Sequence, residues 1–345
     1  MMTFKIGERE VGDGCPSYVI AEIGSNHNQD FELALKMIDA AAEAGADAVK
    51  FQTFTGEAHV SKFAKMPSYL MEGESIQDLL KTLELDRSWH APLQEHAKKK
   101  GVDFFSSPCD FDAVDELAAI GAPAMKVASF DLTDLTLITH IAEKGTPVIL
   151  STGLADWMDI QRAVDACRAA GNEKIAVLQC TSLYPAPVDL SNLRAMATMR
   201  DAFRVTTGYS DHTLGDTVSC AAVAMGATII EKHFTLDRSL PGPDHSFAME
   251  PDEFAAMTTR IRETEAAFGD GSKTGPRGPE MEMAEKVRRS LHVARDVAEG
   301  ETITREMLTI KRPGRGIPPY LIDQVIGRTA RQSIPADHWI DWSMI

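Results

Sequence analysis

GYSDHT (208–213), read together with EKHFT (231–235), places two histidines, His212 and His233, each just past an apolar, β-branched run. If the runs 205–209 and 227–230 are neighbouring parallel strands, both imidazoles emerge at one sheet edge, close enough to share a metal ion. Asp211 and Glu231 stand beside them. Two separate histidines, each satisfied by hydrogen bonds, are the plainer alternative for an isolated pair. The pattern of the rest of the chain weighs against it.

Outward from this pair the same unit recurs. Short β-rich apolar runs fall at 18–23, 48–52, 102–106, 124–128, 147–151, 175–180, 205–209 and 227–230. Helical patterns follow at about 30–44, 88–100, 110–120, 133–144, 156–170, 190–201, 215–225 and 251–268. Eight strand–helix units predict a (β/α)8 TIM barrel, with its site on the loops at the carboxyl ends of the strands. A doubly wound open sheet is the alternative, and it seldom runs to eight regular units. Between the second strand and the second helix lies a long connection, 53–87, of the kind that usually serves as a functional lid. Residues 1–14 read as an N-terminal β-hairpin cap and 15–268 as the barrel. GDGSKTGPRGP opens a linker over 269–284, and 285–345 form a small β-rich unit. So small a unit is marginal alone, so it is expected to pack on the barrel or on a partner subunit.

Composition narrows the function. The 345 residues are 44% hydrophobic and carry a formal charge of -16, which argues against nucleic acid and anionic membranes as partners. Five cysteines, odd in number and without a CxxC pair, point to a reducing cytoplasm and away from disulfides or a zinc knuckle. The N-terminus lacks the apolar core of a signal peptide, and the longest apolar run, 221–230, is too short to span a bilayer. A soluble protein is expected.

Every one of the eight runs stops in polar or ionisable residues: Glu22; Lys50 and Gln52; Ser107; Lys126 and Ser129; Ser151; Thr181 and Ser182; Ser210; Glu231. Burying Lys50 and Lys126 at a barrel mouth is costly unless an anion or a carboxylate compensates each charge. Lysine–glutamate pairs with Glu22 and Glu231 would hold the barrel end together and nothing more. Two lysines among several hydroxyls favour a phosphate and carboxylate site. Two imidazoles as the only strong ligands suit a loosely held divalent ion such as Mn2+, with Mg2+ or Co2+ as substitutes, better than structural zinc. The scattered methionines, Trp89, Trp157, Trp339 and Trp342 read as packing or surface residues.

These residues fall in motifs that resemble the sialic acid synthase family: IAEIGSNHN (20–28), KFQTF (50–54), SSPCD (106–110), KVASFD (126–131), STG (151–153), CTSLYPAP (180–187), GYSDHT, EKHFTLDR (231–238) and GPDHSFAMEP (242–251). RRSLHVARDVAEGETIT (288–304) and KRPGRGI (311–317) resemble its C-terminal antifreeze-like, or SAF, domain. The resemblance implies condensation of phosphoenolpyruvate with an N-acetylated amino-sugar aldehyde to a nine-carbon 2-keto-3-deoxy acid, with release of phosphate. It implies that His212 and His233 hold the metal. Lys50, Gln52, Ser107, Lys126, Ser129, Ser151 and Ser210 would grip phosphoenolpyruvate, and Glu22, Tyr184 and Asp244 the sugar hydroxyls, with Glu231 beside the metal. Among these, Glu22, Lys126 and Glu231 join Asp131 as the catalytic set. Asp131 stands where many members have a glutamate, so its reach is shorter. Arg312 falls where the SAF domain of one subunit reaches the other's barrel, implying a homodimer with exchanged SAF domains. KVASF resembles the pseudaminic acid branch, whereas IAEIGSNHN and GPDH resemble the sialic and legionaminic branches. Ser182 stands where many bacterial sialic acid enzymes have asparagine.

Two rival readings are a metal-independent Schiff-base aldolase using Lys126 and a non-catalytic carbohydrate- or ice-binding protein. The histidine pair speaks against the first. The charged barrel mouth speaks against the second.

Overall fold

The computed structural model describes residues 2–64 and 75–345. The chain forms two units, Met1–Phe268 and Gly269–Ile345. The first begins with an antiparallel hairpin, β1 (Thr3–Ile6) and β2 (Arg9–Gly12). Eight parallel strands follow: β3 (Tyr18–Gly24), β4 (Ala48–Thr53), β5 (Asp103–Pro108), β6 (Met125–Val127), β7 (Val148–Ser151), β8 (Ile175–Cys180), β9 (Thr206–Asp211) and β10 (Ile229–His233). They close in sequence order, β10 pairing with β3, so the predicted TIM barrel is the fold observed.

Alternate side chains of a strand face opposite sides of the sheet, and here that parity divides the barrel. The lower interior is apolar: Ile20, Ala48, Phe105, Ala124, Ile149, Leu178 and Ile229 pack together with Ile6 and Val11 of the hairpin. Two residues further along the same runs stand Glu22, Lys50, Ser107, Lys126, Ser151, Cys180 and Glu231. The barrel axis therefore passes from a dry floor, closed by the hairpin, to a polar mouth. Outward-facing residues such as Val49, Phe104, Val127, Val177 and Ile230 pack on the helical layer through Met37, Ile38, Leu117, Ile138, Val164 and Met257.

That layer comprises helices Phe31–Glu43, His90–Lys100, Phe111–Ala119, Leu135–Glu143, Trp157–Ala169, Arg194–Phe203, Thr217–Ala224 and Pro251–Phe268. Asp30, Asp110, Asp134 and Asp156 cap four of them by accepting from first-turn amides. The pattern at 190–201 resolves into a 3-10 turn, Val188–Leu190, and a helix that starts only at Arg194. Within the long connection 53–87 the described residues form short helices, Gly56–His59 and Ile76–Lys81; part of the expected lid lies outside the described residues. Among the described residues no helix is long and apolar enough to cross a membrane.

In the second unit, β11 (Ser290–Val293) pairs antiparallel with β12 (Leu308–Lys311). Isolated bridges Val297↔Ile334 and Thr302↔Thr329 extend the fold beyond this sheet. Its core is its own: Leu291, Val297, Ile303, Val325, Ile334 and Ile340 are nearly inaccessible to solvent. The stretch read as linker, 269–284, is not wholly irregular, because a helix, Glu280–Val287, begins inside it. The Gly- and Pro-rich composition ends at Pro279, and EMEMAEKV is made of good helix formers.

Candidate active site

All the site residues read from the sequence, save Arg312, line one cavity of about 440 Å³ at the mouth of the barrel. Register explains the convergence. Glu22 is paired with Lys50 across β3 and β4, His233 with Glu22 across β10 and β3, and Glu231 with Ser210 across β10 and β9. Close approach of the last strands depends on Gly208, where a Cβ would lie 2.3 Å from the Ile229 carbonyl oxygen and 2.7 Å from Leu178 Cδ2.

Four buried charges form a chain of contacts of alternating sign across the mouth, Glu22 to Lys50 to Glu231 to Lys126. Lys50 Nζ lies 2.7 Å from Glu22 Oε2 and 3.7 Å from Glu231 Oε1, and Lys126 Nζ lies 3.8 Å from Glu231 Oε2. The lysine–glutamate pairs weighed from the sequence are therefore present, and they compensate the two ammonium groups unequally. Burial would push Lys50 down, but Glu22 and Glu231 hold it above its ordinary value. Burial holds Lys126 below its ordinary value, since Glu231 offsets the cost only in part. The Glu22 carboxyl is pushed up by burial, against the pull of Lys50 and with the help of Glu231. Burial raises Glu231 too, but Lys126 and Lys50 outweigh it and hold the carboxyl below its usual range. Gln52 Nε2 donates to Glu22 Oε1 at 2.8 Å, so Gln52 steadies that carboxylate.

Hydroxyls fill the gaps. Lys50 Nζ donates to Ser107 Oγ at 3.2 Å, and Ser210 Oγ donates to Glu231 Oε1 at 3.3 Å. Ser129 Oγ accepts from the Gly153 amide at 3.0 Å. Ser151 Oγ is buried with no hydrogen-bond partner among the described residues.

His212 and His233 face each other with ring centroids 5.3 Å apart. The sequence reading put both on loops; the strands run further, so His233 closes β10 and His212 directly follows β9. His212 Nδ1 lies 2.8 Å from the Thr181 carbonyl oxygen, which makes Nδ1 the N–H and leaves the Nε2 lone pair open. His233 Nδ1 is buried without a hydrogen-bond partner among the described residues, 3.7 Å from Asp244 Oδ2. Burial keeps the His233 imidazole far below its ordinary value and hence neutral. Burial pushes the Asp244 carboxyl up to about 6. An unpartnered neutral imidazole, and a second one oriented by a carbonyl, are the features of metal-binding histidines, so a divalent ion fits these donors. Tyr184 packs its ring on His212, at 4.3 Å between centroids, and stands edge-on to His233 at 5.9 Å.

Asp211, adjacent in sequence to His212, faces the other way. It is paired with Lys232 at 2.9 Å and accepts from Ser219 and Thr213, so it braces the strand from outside the barrel. Arg312 lies in the second unit just after β12 and is exposed. Cys180, His59 and Cys109 also line the cavity and escaped the sequence reading. Cys180 Sγ is 3.8 Å from His212 Nδ1. Its position at the end of a strand was the available signal. Cys109 had a similar one just past β5, whereas His59 had none, since only the folding of the long connection brings it in.

A closed parallel barrel with two buried lysines, a ring of hydroxyls and a facing histidine pair at the carboxyl ends of its strands defines a (β/α)8-barrel enzyme. A family model described as NeuB family matches residues 37–273, and one described as SAF domain matches residues 288–345. The chain belongs to the NeuB family, and it is an enzyme of the sialic acid synthase type with a C-terminal SAF domain. It is 39% identical to N,N'-diacetyllegionaminic acid synthase of Legionella pneumophila, covering 98% of this chain and 97% of that one. It is 34% identical to pseudaminic acid synthase of Helicobacter pylori, over 93% of this chain and 96% of the relative. The crystal structure of an N-acetylneuraminic acid synthetase from Leptospira borgpetersenii superposes with a TM-score of 0.74 at 35% identity, covering 82% of this chain and 95% of that one.

Proposed function

We propose that this enzyme condenses phosphoenolpyruvate with an open-chain N-acetylated amino sugar, N-acetylmannosamine or a 2,4-diacetamido-2,4,6-trideoxyhexose, to give a nine-carbon 2-keto-3-deoxy acid and phosphate. The observation that carries the reading is the unequal compensation of the two lysines. Among the described residues Lys126 has only a carboxylate oxygen at 3.8 Å and the Val127 carbonyl oxygen at 3.2 Å. A phosphate arriving beside it gains charge-assisted hydrogen bonds without first breaking a close ion pair. Ser129 and the unpartnered Ser151 add hydroxyl donors, while Lys50 and Ser107 take the carboxylate or a further phosphate oxygen.

On the other side of the cavity, Glu22 with Gln52, Tyr184 and Asp244 accept and donate to the sugar hydroxyls. His212 and His233 would hold a divalent ion, Mn2+ by preference, whose contribution when bound is to polarise a carbonyl oxygen as a Lewis acid. The phosphoenolpyruvate carbon C3 attacks the sugar aldehyde, and water adds at the cationic C2. Collapse of the tetrahedral centre expels phosphate by C–O cleavage. Asp131, half-buried on the rim and pushed up by burial, would exchange a proton with that water, and Glu231 steadies both ammonium groups throughout.

Arg312 completes the proposal: the SAF domain of a partner subunit in a homodimer brings it to the sugar's N-acetyl group. A cytoplasmic location belongs to the same reading, supported by five cysteines that are all thiols. The test is phosphate release from phosphoenolpyruvate with a panel of amino-sugar aldehydes, in metal-loaded and chelator-treated enzyme. Metal-dependent release with one of the named sugars is expected. Turnover in chelator, with an adduct trapped on Lys126 by borohydride, would replace the synthase by the Schiff-base aldolase.

A further inference from the structure

On the wall of the cavity formed by the loops after β4, β5 and β6, three side chains from distant parts of the chain meet: His59, Cys109 and Asp131. One nitrogen of His59, the Cys109 sulfur and one Asp131 oxygen all lie within 4.8 Å of one another. Each is carried on hydrogen-bonded backbone. The Cys109 amide donates to the Thr53 carbonyl at 3.0 Å, the Asp131 amide to Ala128 at 3.0 Å, and the His59 amide to Thr55 at 2.9 Å. The His59 ring is stacked on buried Phe54, centroids 5.4 Å apart and planes 26° apart.

We infer that His59, Cys109 and Asp131 form a second divalent-metal site, distinct from the His212 and His233 pair and selective for a thiophilic ion of the zinc class. Geometry supports it. A tetrahedral zinc with bonds of about 2.3 Å to sulfur and about 2.1 Å to oxygen separates those two ligand atoms by about 3.6 Å. Cys109 Sγ and Asp131 Oδ2 lie 3.7 Å apart. The His59 nitrogen, within 4.8 Å of both atoms, takes the third position, and the open cavity supplies water to the fourth. Charge agrees as well: thiolate, carboxylate and neutral imidazole together balance a dication. Binding breaks the Cys109 S–H bond, forms the sulfur–metal bond and releases the thiol proton to solvent.

A thiolate ligand is what separates this site from the first, whose nitrogen and oxygen donors suit harder ions. Because Asp131 belongs to the proposed water-addition step, occupation should inhibit turnover, a consequence that rests on the synthase reading. The binding itself does not, and its test uses no substrate. Metal-free full-length enzyme is titrated with Co2+ alone and followed by absorption. A sulfur-to-cobalt charge-transfer band should saturate within two equivalents in the wild type, persist and saturate at one equivalent in the His212→Ala/His233→Ala variant, and disappear in Cys109→Ser. In His59→Ala or Asp131→Asn the cobalt affinity should fall by at least the roughly 10- to 100-fold that loss of an outer-shell partner costs, and Zn2+ alone should displace the cobalt and bleach the band. Circular dichroism of each variant separates lost binding from lost fold. No sulfur band in the wild type, a band that survives Cys109→Ser, or one that vanishes with His212 and His233 would overturn the assignment; the last would transfer the thiol ligand to Cys180.

Discussion

Replacing Lys50 by Met tests the charge network at the barrel mouth most directly. Methionine keeps the apolar stem, so little cavity cost accompanies the change. What disappears is the ammonium 2.7 Å from Glu22 and 3.7 Å from Glu231. Removing one member of a buried ion pair costs about 3–5 kcal/mol when the other stays charged. Glu22 has a cheaper course, because burial and Glu231 already push its carboxyl up and the variant lacks the opposing ammonium. It takes up a proton. Keeping a folded carboxyl neutral while the unfolded one ionises near pH 4.3 costs about 1.4 kcal/mol per pH unit above that value, roughly 3.7 kcal/mol at pH 7 and 1 kcal/mol at pH 5. A carboxyl raised in the folded state contributes stability that is full below the unfolded value and lost as pH rises, so the variant's deficit grows with pH. Urea titrations followed by the fluorescence of the barrel tryptophans at pH 5, 6 and 7 measure it. Lys50→Met/Glu22→Gln should recover most of the loss at pH 7. A deficit constant from pH 5 to 7, or below about 1 kcal/mol at pH 7, would show that the pair is not a coupled buried unit.

Three further outcomes are expected. His212→Ala and His233→Ala should each lower affinity for Mn2+ and abolish most turnover while leaving the thermal transition within a few degrees of wild type; calorimetric titration and a melt check both. Arg312→Ala should raise the amino-sugar KM about tenfold to a hundredfold, the cost of one charged hydrogen bond, and that for phosphoenolpyruvate much less. Mixed with Lys126→Ala protomers it should regain activity through one intact site per dimer; none after verified subunit mixing would rule out the exchange. His27, fully buried and held neutral with a pKa lowered by burial to about 4, should make the fold acid-sensitive. Its contribution is full above the unfolded value near 6.5 and lost as pH falls toward 4, so His27→Gln should flatten stability over that window by ~3 kcal/mol.

The alternation of strand and helix, and the polar residue closing each run, were legible in the chain because they are local periodicities. The histidine pair was legible too, since two adjacent parallel strands carry equivalent positions to one edge. Partnership was not. For Glu22 and Lys50 an ion pair and separate ligand roles were both open in the sequence, and only the register of β3 and β4 sets them 2.7 Å apart. Asp211 stands next to His212 in the sequence, yet β9 continues through Asp211, and strand parity turns it outward to Lys232. Cys180 beside His212, and His59 beside Cys109 and Asp131, depend on closure of the barrel and on the path of the long connection. Residue type and spacing therefore determined the architecture and the chemical inventory of the mouth. Which charge neutralises which, and which donors meet, was decided only by register and loop packing, because electrostatic and coordination energies depend on distances of a few ångströms that no linear spacing encodes.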